Sequence, residues 1–206
     1  MGRRLVVGLG NPGPEYEKTW HNLGFSSVRD LAKRMKTSLK SRRDVLIGRG
    51  RYAGHDVFLM LPQTYMNRSG IPVERFAREN RIDAEEILVI FDDHDLPLGR
   101  LRMRESGGDG GHRGLKSILH EIGLPNVARL RIGIRDEDSS PEVGGYEDLA
   151  DRVLAPLSER EYEYFKVLAE GSSRAAMDWI IAGCRMAMNR NNGRVIAPPW
   201  EESSKE

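Results

Sequence analysis

The 206-residue chain carries 32 Lys and Arg against 31 Asp and Glu, 39% apolar residues and one cysteine. That length suits one domain with a sizeable core, and no run approaches the roughly 18 consecutive apolar residues of a membrane span. Cys184 alone excludes an internal disulfide and points to a reducing, cytoplasmic setting. Leu5 to Leu9 behind Arg3-Arg4 is broken at Gly8 and too short for an export signal.

The near-neutral total hides an asymmetry. Arg100 to Arg135 holds eight bases against three acids, whereas Asp136 to Glu170 holds eleven acids against three bases. A basic block inside a neutral chain marks a local anion-binding face, nucleic acid included, or a solvated charged surface.

Arg4-Leu5-Val6-Val7-Gly8 reads as a buried strand running into a glycine-rich loop. Phe25, Val28, Leu31, Ala32 and Met35 fall on one face of a helix. Val45–Tyr52 and Asp56–Leu61 read as a hairpin joined around Ala53-Gly54-His55. A helix over Pro72–Asn80 follows, with Pro72 in its first turn. Ile87–Phe91 is the clearest buried strand, and Leu98–Met103 and Val127–Ile134 are two more. Gly114–His120 reads as a short helix. Ser158 caps a long helical region to about Asn189, with Glu161 completing a capping box. Strands alternating with helices, plus the hairpin, predict a single α/β domain over residues 1–191. Its twisted mixed sheet, mostly parallel, is flanked by helices, and residues 192–206 form a polar tail.

Gly8-Leu9-Gly10-Asn11-Pro12-Gly13 matches the dinucleotide fingerprint G-x-G-x-x-G directly after a strand. Pro12 stands where the phosphate-cradling turn should offer an N–H, and Pro14, Tyr16 and Thr19 prolong the loop to about Leu23. The acid expected about 20 residues on, at the end of a second strand, is missing, because Phe25–Met35 reads as helix. The loop is better read as aiming Asn11, Tyr16 and His21 across one rim of the sheet.

Those glycines with Tyr16 and Thr19-Trp20-His21-Asn22-Leu23-Gly24 resemble the opening motif of bacterial-type peptidyl-tRNA hydrolases. Pro62-Gln63-Thr64-Tyr65-Met66-Asn67-Arg68-Ser69-Gly70 resembles the family's second motif, and Asp92–Gly99 with Gly107–Lys116 its third. The resemblance spans about Leu5 to Asn191 in order. It implies a monomeric cytosolic enzyme without cofactor or membrane attachment, cutting the ester between a peptide and the 3′ ribose of tRNA. It also implies His21 as general base, Asp92 as its support, and Asn11, Tyr16, Tyr65, Asn67 and Arg113 lining the substrate site. Arg104 and Arg131 are implied as holders of the tRNA 5′-phosphate. The family usually has Arg where this chain has Trp20, Leu where it has His94, and Asn where it has Arg113.

The residues themselves are compatible with that chemistry. An aminoacyl ester is activated, so water and one base suffice, and an imidazole beside a carboxylate is poised near neutral pH. Asn11 and Asn67 are suited to orient the water or stabilise an oxyanion. Tyr16 and Tyr65 are suited to stack on a terminal base, and His112 to cap a helix. Asp92-Asp93-His94-Asp95 invites a metal reading, but strand alternation lets only Asp92 with His94, or Asp93 with Asp95, share a side. No companion His or Cys pair completes a set, so no metal is expected. Asp95 is read as bonding the turn's backbone. The rival reading is a tRNA- or RNA-binding relative that has lost hydrolysis.

Overall fold

Strands β1 (Arg3–Gly8), β2 (Lys40–Arg42), β3 (Val45–Tyr52), β4 (His55–Pro62), β5 (Ile87–Pro97), β6 (Leu101–Arg104) and β7 (Ala128–Arg135) build one sheet in the order β2-β3-β4-β1-β5-β7-β6. Its centre, β4-β1-β5-β7, is parallel, and β2, β3 and β6 add antiparallel margins. The structure, a computed structural model, describes residues 2–135 and 151–202. The start of the acidic stretch (136–150) and the last four residues of the expected polar tail lie outside the described residues.

Helices α1 (Leu23–Arg34) and α4 (Glu159–Asn191) cover one face of the sheet, and α2 (Gly70–Asn80) and α3 (Arg113–Ile122) cover the other. Alternation along the central strands divides the core accordingly. Val6, Leu88, Ile90, Leu130 and Ile132 meet Val28, Leu31, Phe165 and Trp179, while Leu5, Val7, Val89 and Phe91 meet Val73, Leu115 and Ile118. Both faces being covered explains why β1 and β5 read as unbroken apolar runs.

Local chemistry explains most boundaries. The β3–β4 hairpin closes on Ala53 (φ 49°) and Gly54 (φ 83°), the left-handed pair that a two-residue turn requires. Ser158 and Glu161 form the reciprocal capping box at α4, which bends at Gly183 (φ 77°), a kink the apolar periodicity did not foretell. The opening glycines serve packing. A Cβ on Gly8 would stand 2.3 Å from the Gly24 carbonyl, and one on Gly24 would stand 2.2 Å from that of Ile90. The two glycines let α1 press onto β1 and β5, and no α-helix begins at Gly13.

Three expectations change. Strand β5 does not stop at Phe91 but continues, with an irregularity between Asp93 and Pro97, because Asp92 and Asp93 keep their pairing with β7. The following strand starts only at Leu101, since Gly99 (φ 85°) turns the chain. Residues 192–200, expected as tail, pack onto the body. Asn192 bonds the Met103 backbone through both its side-chain atoms, Ile196 N–H donates to Gly99 C=O, and Trp200 meets Tyr164 edge-on. Among the described residues, no helix is long and apolar enough to cross a membrane.

Candidate active site

The loops after β1 and β4 and the glycine loop before α3 gather beyond the carboxyl ends of the parallel strands, the place where open α/β sheets form crevices. His21 sits on a short turn (Trp20–Asn22) just ahead of α1. Its Nδ1 lies 3.1 and 3.2 Å from the two carboxylate oxygens of Asp92, on β5. Asp92 is buried and His21 is 14% exposed, so the carboxylate is sheltered while the ring reaches the cavity. An anionic Asp92 can only accept, which puts the proton of neutral His21 on Nδ1 and leaves Nε2 with a free lone pair.

A second imidazole shares that carboxylate. His112 Nδ1 accepts the Leu115 N–H at the start of α3, so its proton resides on Nε2, 3.4 Å from Asp92 Oδ1. Burial holds the His112 pKa below its ordinary value, keeping it a neutral donor. Burial also acts to lower the His21 pKa, but the charge and hydrogen bond of Asp92 outweigh it and lift the value above the usual 6.5; Arg113 pulls the other way. Burial acts to raise the Asp92 pKa, and the two histidines overcome it, leaving the carboxyl far below the ordinary carboxylate range. His21, Asp92 and His112 bring ligand-type atoms within 4.8 Å of one another. The His112 nitrogen facing Asp92 carries a proton, however, so the trio is built as one carboxylate accepting from two imidazoles. Strand alternation could not reveal it, because its third member arrives from the cap of α3.

Asn11 is fixed from three directions. Its N–H donates to Asn22 Oδ1 (2.7 Å), its C=O accepts from Asn22 Nδ2 (3.0 Å), and its Oδ1 accepts the Met66 N–H (3.0 Å). With Oδ1 so engaged, the Asn11 side chain has its NH₂ group left to offer. Asn11, His21, Asp92, Tyr65, Asn67 and Arg113 line one cavity of about 470 Å³, with Met66, Val153 and Leu154 as apolar wall. Among the described residues, that lining contains no serine, threonine or cysteine. Cys184 lies at a different cavity, and burial pushes its thiol up to about 11. Tyr16, expected at the substrate site, is half-buried on the Pro14–Tyr16 turn outside this lining, its carbonyl bonded to Thr19 Oγ1.

Arg104 and Arg131 belong to a neighbouring cavity of about 480 Å³, together with Arg102, Arg129 and the glycine loop. Register sets Arg102 opposite Arg131 and Arg104 opposite Arg129 on one face of β6–β7. Arg131 is bonded to Asp93, with Asp95 3.9 Å away. The turn bond expected of Asp95 is made by Asp93 instead, whose Oδ1 accepts the Asp95 N–H at 2.9 Å.

Against known proteins, the family model for peptidyl-tRNA hydrolase matches residues 5–199. The chain is 45% identical to the peptidyl-tRNA hydrolase of Moorella thermoacetica over 91% of this chain and 97% of the relative, and 40% identical to that of Syntrophotalea carbinolica over 94% and 98%. A crystal structure of peptidyl-tRNA hydrolase from Acinetobacter baumannii superposes with a TM-score of 0.83 at 38% identity, covering 95% of this chain and 97% of that one. The chain belongs to the peptidyl-tRNA hydrolase family.

Within the family frame the three departures take definite places. Trp20 is buried and packs on Phe165 of α4 with ring centroids 6.1 Å apart, pinning the turn that carries His21. Trp20→Ala should cost about 3–5 kcal/mol, read as a lowered Tm with a further loss of turnover; an unchanged Tm would show the pin to be idle. His94 shares the cavity lining with Asp92 and lies 3.4 Å from Asp95 Oδ1. Arg113 is exposed at the first residue of α3, where the helix dipole opposes a cation. Sequence reasoning missed Asn22 as the clamp of Asn11 and Arg129 as a buried cation. Asn22 sits inside the opening motif and Arg129 in strand-like sequence, and only their long-range partners distinguish them.

Proposed function

We propose that this chain hydrolyses the ester joining a peptide to the 3′ ribose of tRNA, with His21 as general base and Asp92 as its support. The pairing of His21 Nδ1 with both Asp92 oxygens at the wall of an open cavity carries this reading. His21 Nε2 takes a proton from water as the water oxygen bonds to the ester carbonyl carbon. The oxyanion formed is met by the Asn11 NH₂ group, with Asn67 nearby to orient water or carbonyl. Collapse breaks the bond to the ribose 3′-oxygen, which receives the proton from the His21 imidazolium, leaving a free peptide and tRNA. Among the described residues the lining holds no serine, threonine or cysteine, which supports direct attack by water.

Tyr65, 68% exposed, offers a stacking face for the terminal base, and Arg113 a cation for the backbone beside it. The arginine cavity suits the 5′-phosphate through Arg104 and Arg131. No cofactor enters this scheme, and the enzyme is read as a cytoplasmic monomer. Incubating the protein with N-acetyl-aminoacyl-tRNA and measuring peptide release tests the proposal; binding without release would favour the non-catalytic tRNA-binding reading. Arg104→Ala should lower the slope of log Kd against log salt by about 0.7–0.9. Arg131→Ala should do the same with a larger loss of affinity, because Asp93 is left as an unneutralised buried acid. An unchanged slope in both variants would remove these residues from the interface.

A further inference from the structure

Arg129 is 2% exposed, yet among the described residues no carboxylate bonds it. Its guanidinium is met by backbone carbonyls alone. Nε donates to Val127 (3.1 Å), Nη2 to Val127 and Pro125 (2.8 and 3.0 Å), and Nη1 to Gly107 and Gly108 (2.6 and 2.8 Å). A buried cation is costly unless its donors are all satisfied. It also stands beside Arg131, and burial followed by that neighbour lowers its pKa. An apolar side chain would fill the volume without that cost, but it would not tie the glycine loop to β7.

Among the described residues, the loop has little else to hold it. A Cβ added at Gly108, Gly110 or Gly111 would meet nothing within 4 Å, and Gly107, Gly110 and Gly111 have positive φ. Its other fastenings are the internal turn at Asp109, whose Oδ1 accepts the Gly111 N–H, and its far end at His112. Gly107, Gly108 and Gly110 line the arginine cavity, while Gly110 and Gly111 lead along the second cavity to His112 and so to Asp92.

We infer that Arg129 is a positioning residue: by gripping the carbonyls of Gly107 and Gly108 it sets the loop that places His112 against Asp92, and so couples the arginine cavity to the hydrolytic centre. This inference rests on the function proposed above. The rigid planar fork is essential to it, since a lysine ammonium is a single point that cannot span carbonyls on the loop and at Pro125 together.

Arg129→Lys keeps the charge and removes the fork. It should lower kcat for N-acetyl-aminoacyl-tRNA about tenfold or more, as small misplacements of catalytic groups do, with KM within about twofold. Amide hydrogen exchange without substrate should accelerate at Gly107–His112 and stay unchanged in β5. Gly107→Ala provides a second route should the lysine variant fail to fold. It lies on an exposed loop at φ 140°, where a side chain strains the backbone, so the substitution shifts the carbonyl that Arg129 Nη1 holds while leaving the buried charge. The same pair of effects is expected. Turnover retained despite faster loop exchange, or turnover lost with the loop still protected, overturns the inference. A wild-type protein that releases no peptide defeats the functional reading itself, whereas the exchange result still decides whether Arg129 holds the loop.

Discussion

His21→Ala is expected to reduce kcat for peptide release from N-acetyl-aminoacyl-tRNA by about 10²–10⁴-fold, the range supplied by a positioned general base, while Tm changes little. The ring is partly exposed, and the surrounding turn is held independently by Trp20 on Phe165 and by Asn22 on the Asn11 backbone. Substrate affinity should persist, because Tyr65, Asn67 and the arginine cavity are untouched. Near-normal turnover in this variant would end the base assignment. Weak binding with a folded protein would instead show that the ring also holds substrate.

Asp92→Asn is expected to lower kcat to a comparable degree through the tautomer of His21. An amide oriented to donate toward Nδ1 would force the His21 proton onto Nε2, the nitrogen that must be free. The same substitution should move the acid limb of the pH profile. In the wild type the His21 pKa is raised above 6.5, so kcat/KM should climb with pH around a midpoint above that value. Without the carboxylate, burial and the Arg113 charge remain, and both push the midpoint below 6.5. Protonated His21 paired with Asp92 stabilises the fold at pH values below the unfolded pKa, and that contribution disappears as pH rises through the raised folded value. An acid limb at the same pH in both proteins would separate Asp92 from the titrating group.

Much of this site is legible in the chain. His21, Asp92, Asn11, Tyr65, Asn67 and Arg113 are brought to one cavity, and their loops were recognisable as strand ends because apolar runs stop there in glycine and polar residues. Tyr16 was not separable from them: it shares the opening motif, yet the Pro14–Tyr16 turn carries it away from the cavity. The resemblance implies Arg131 as a phosphate holder, and only the pairing of β5 with β7 reveals Asp93 beside it.

What the sequence determined by itself is whatever rests on interactions within a few residues. These are the two-fold alternation of β7, the capping box at Ser158 and the hairpin around Ala53-Gly54. Only the tertiary structure decided which polar atoms meet. His112 reaches Asp92 across 20 positions, Arg129 reaches Gly107 across 22, and Asn192 reaches Met103 across 89. Such contacts leave no periodic trace along the chain, because they depend on strand register and on how three separate loops converge at one edge of the sheet.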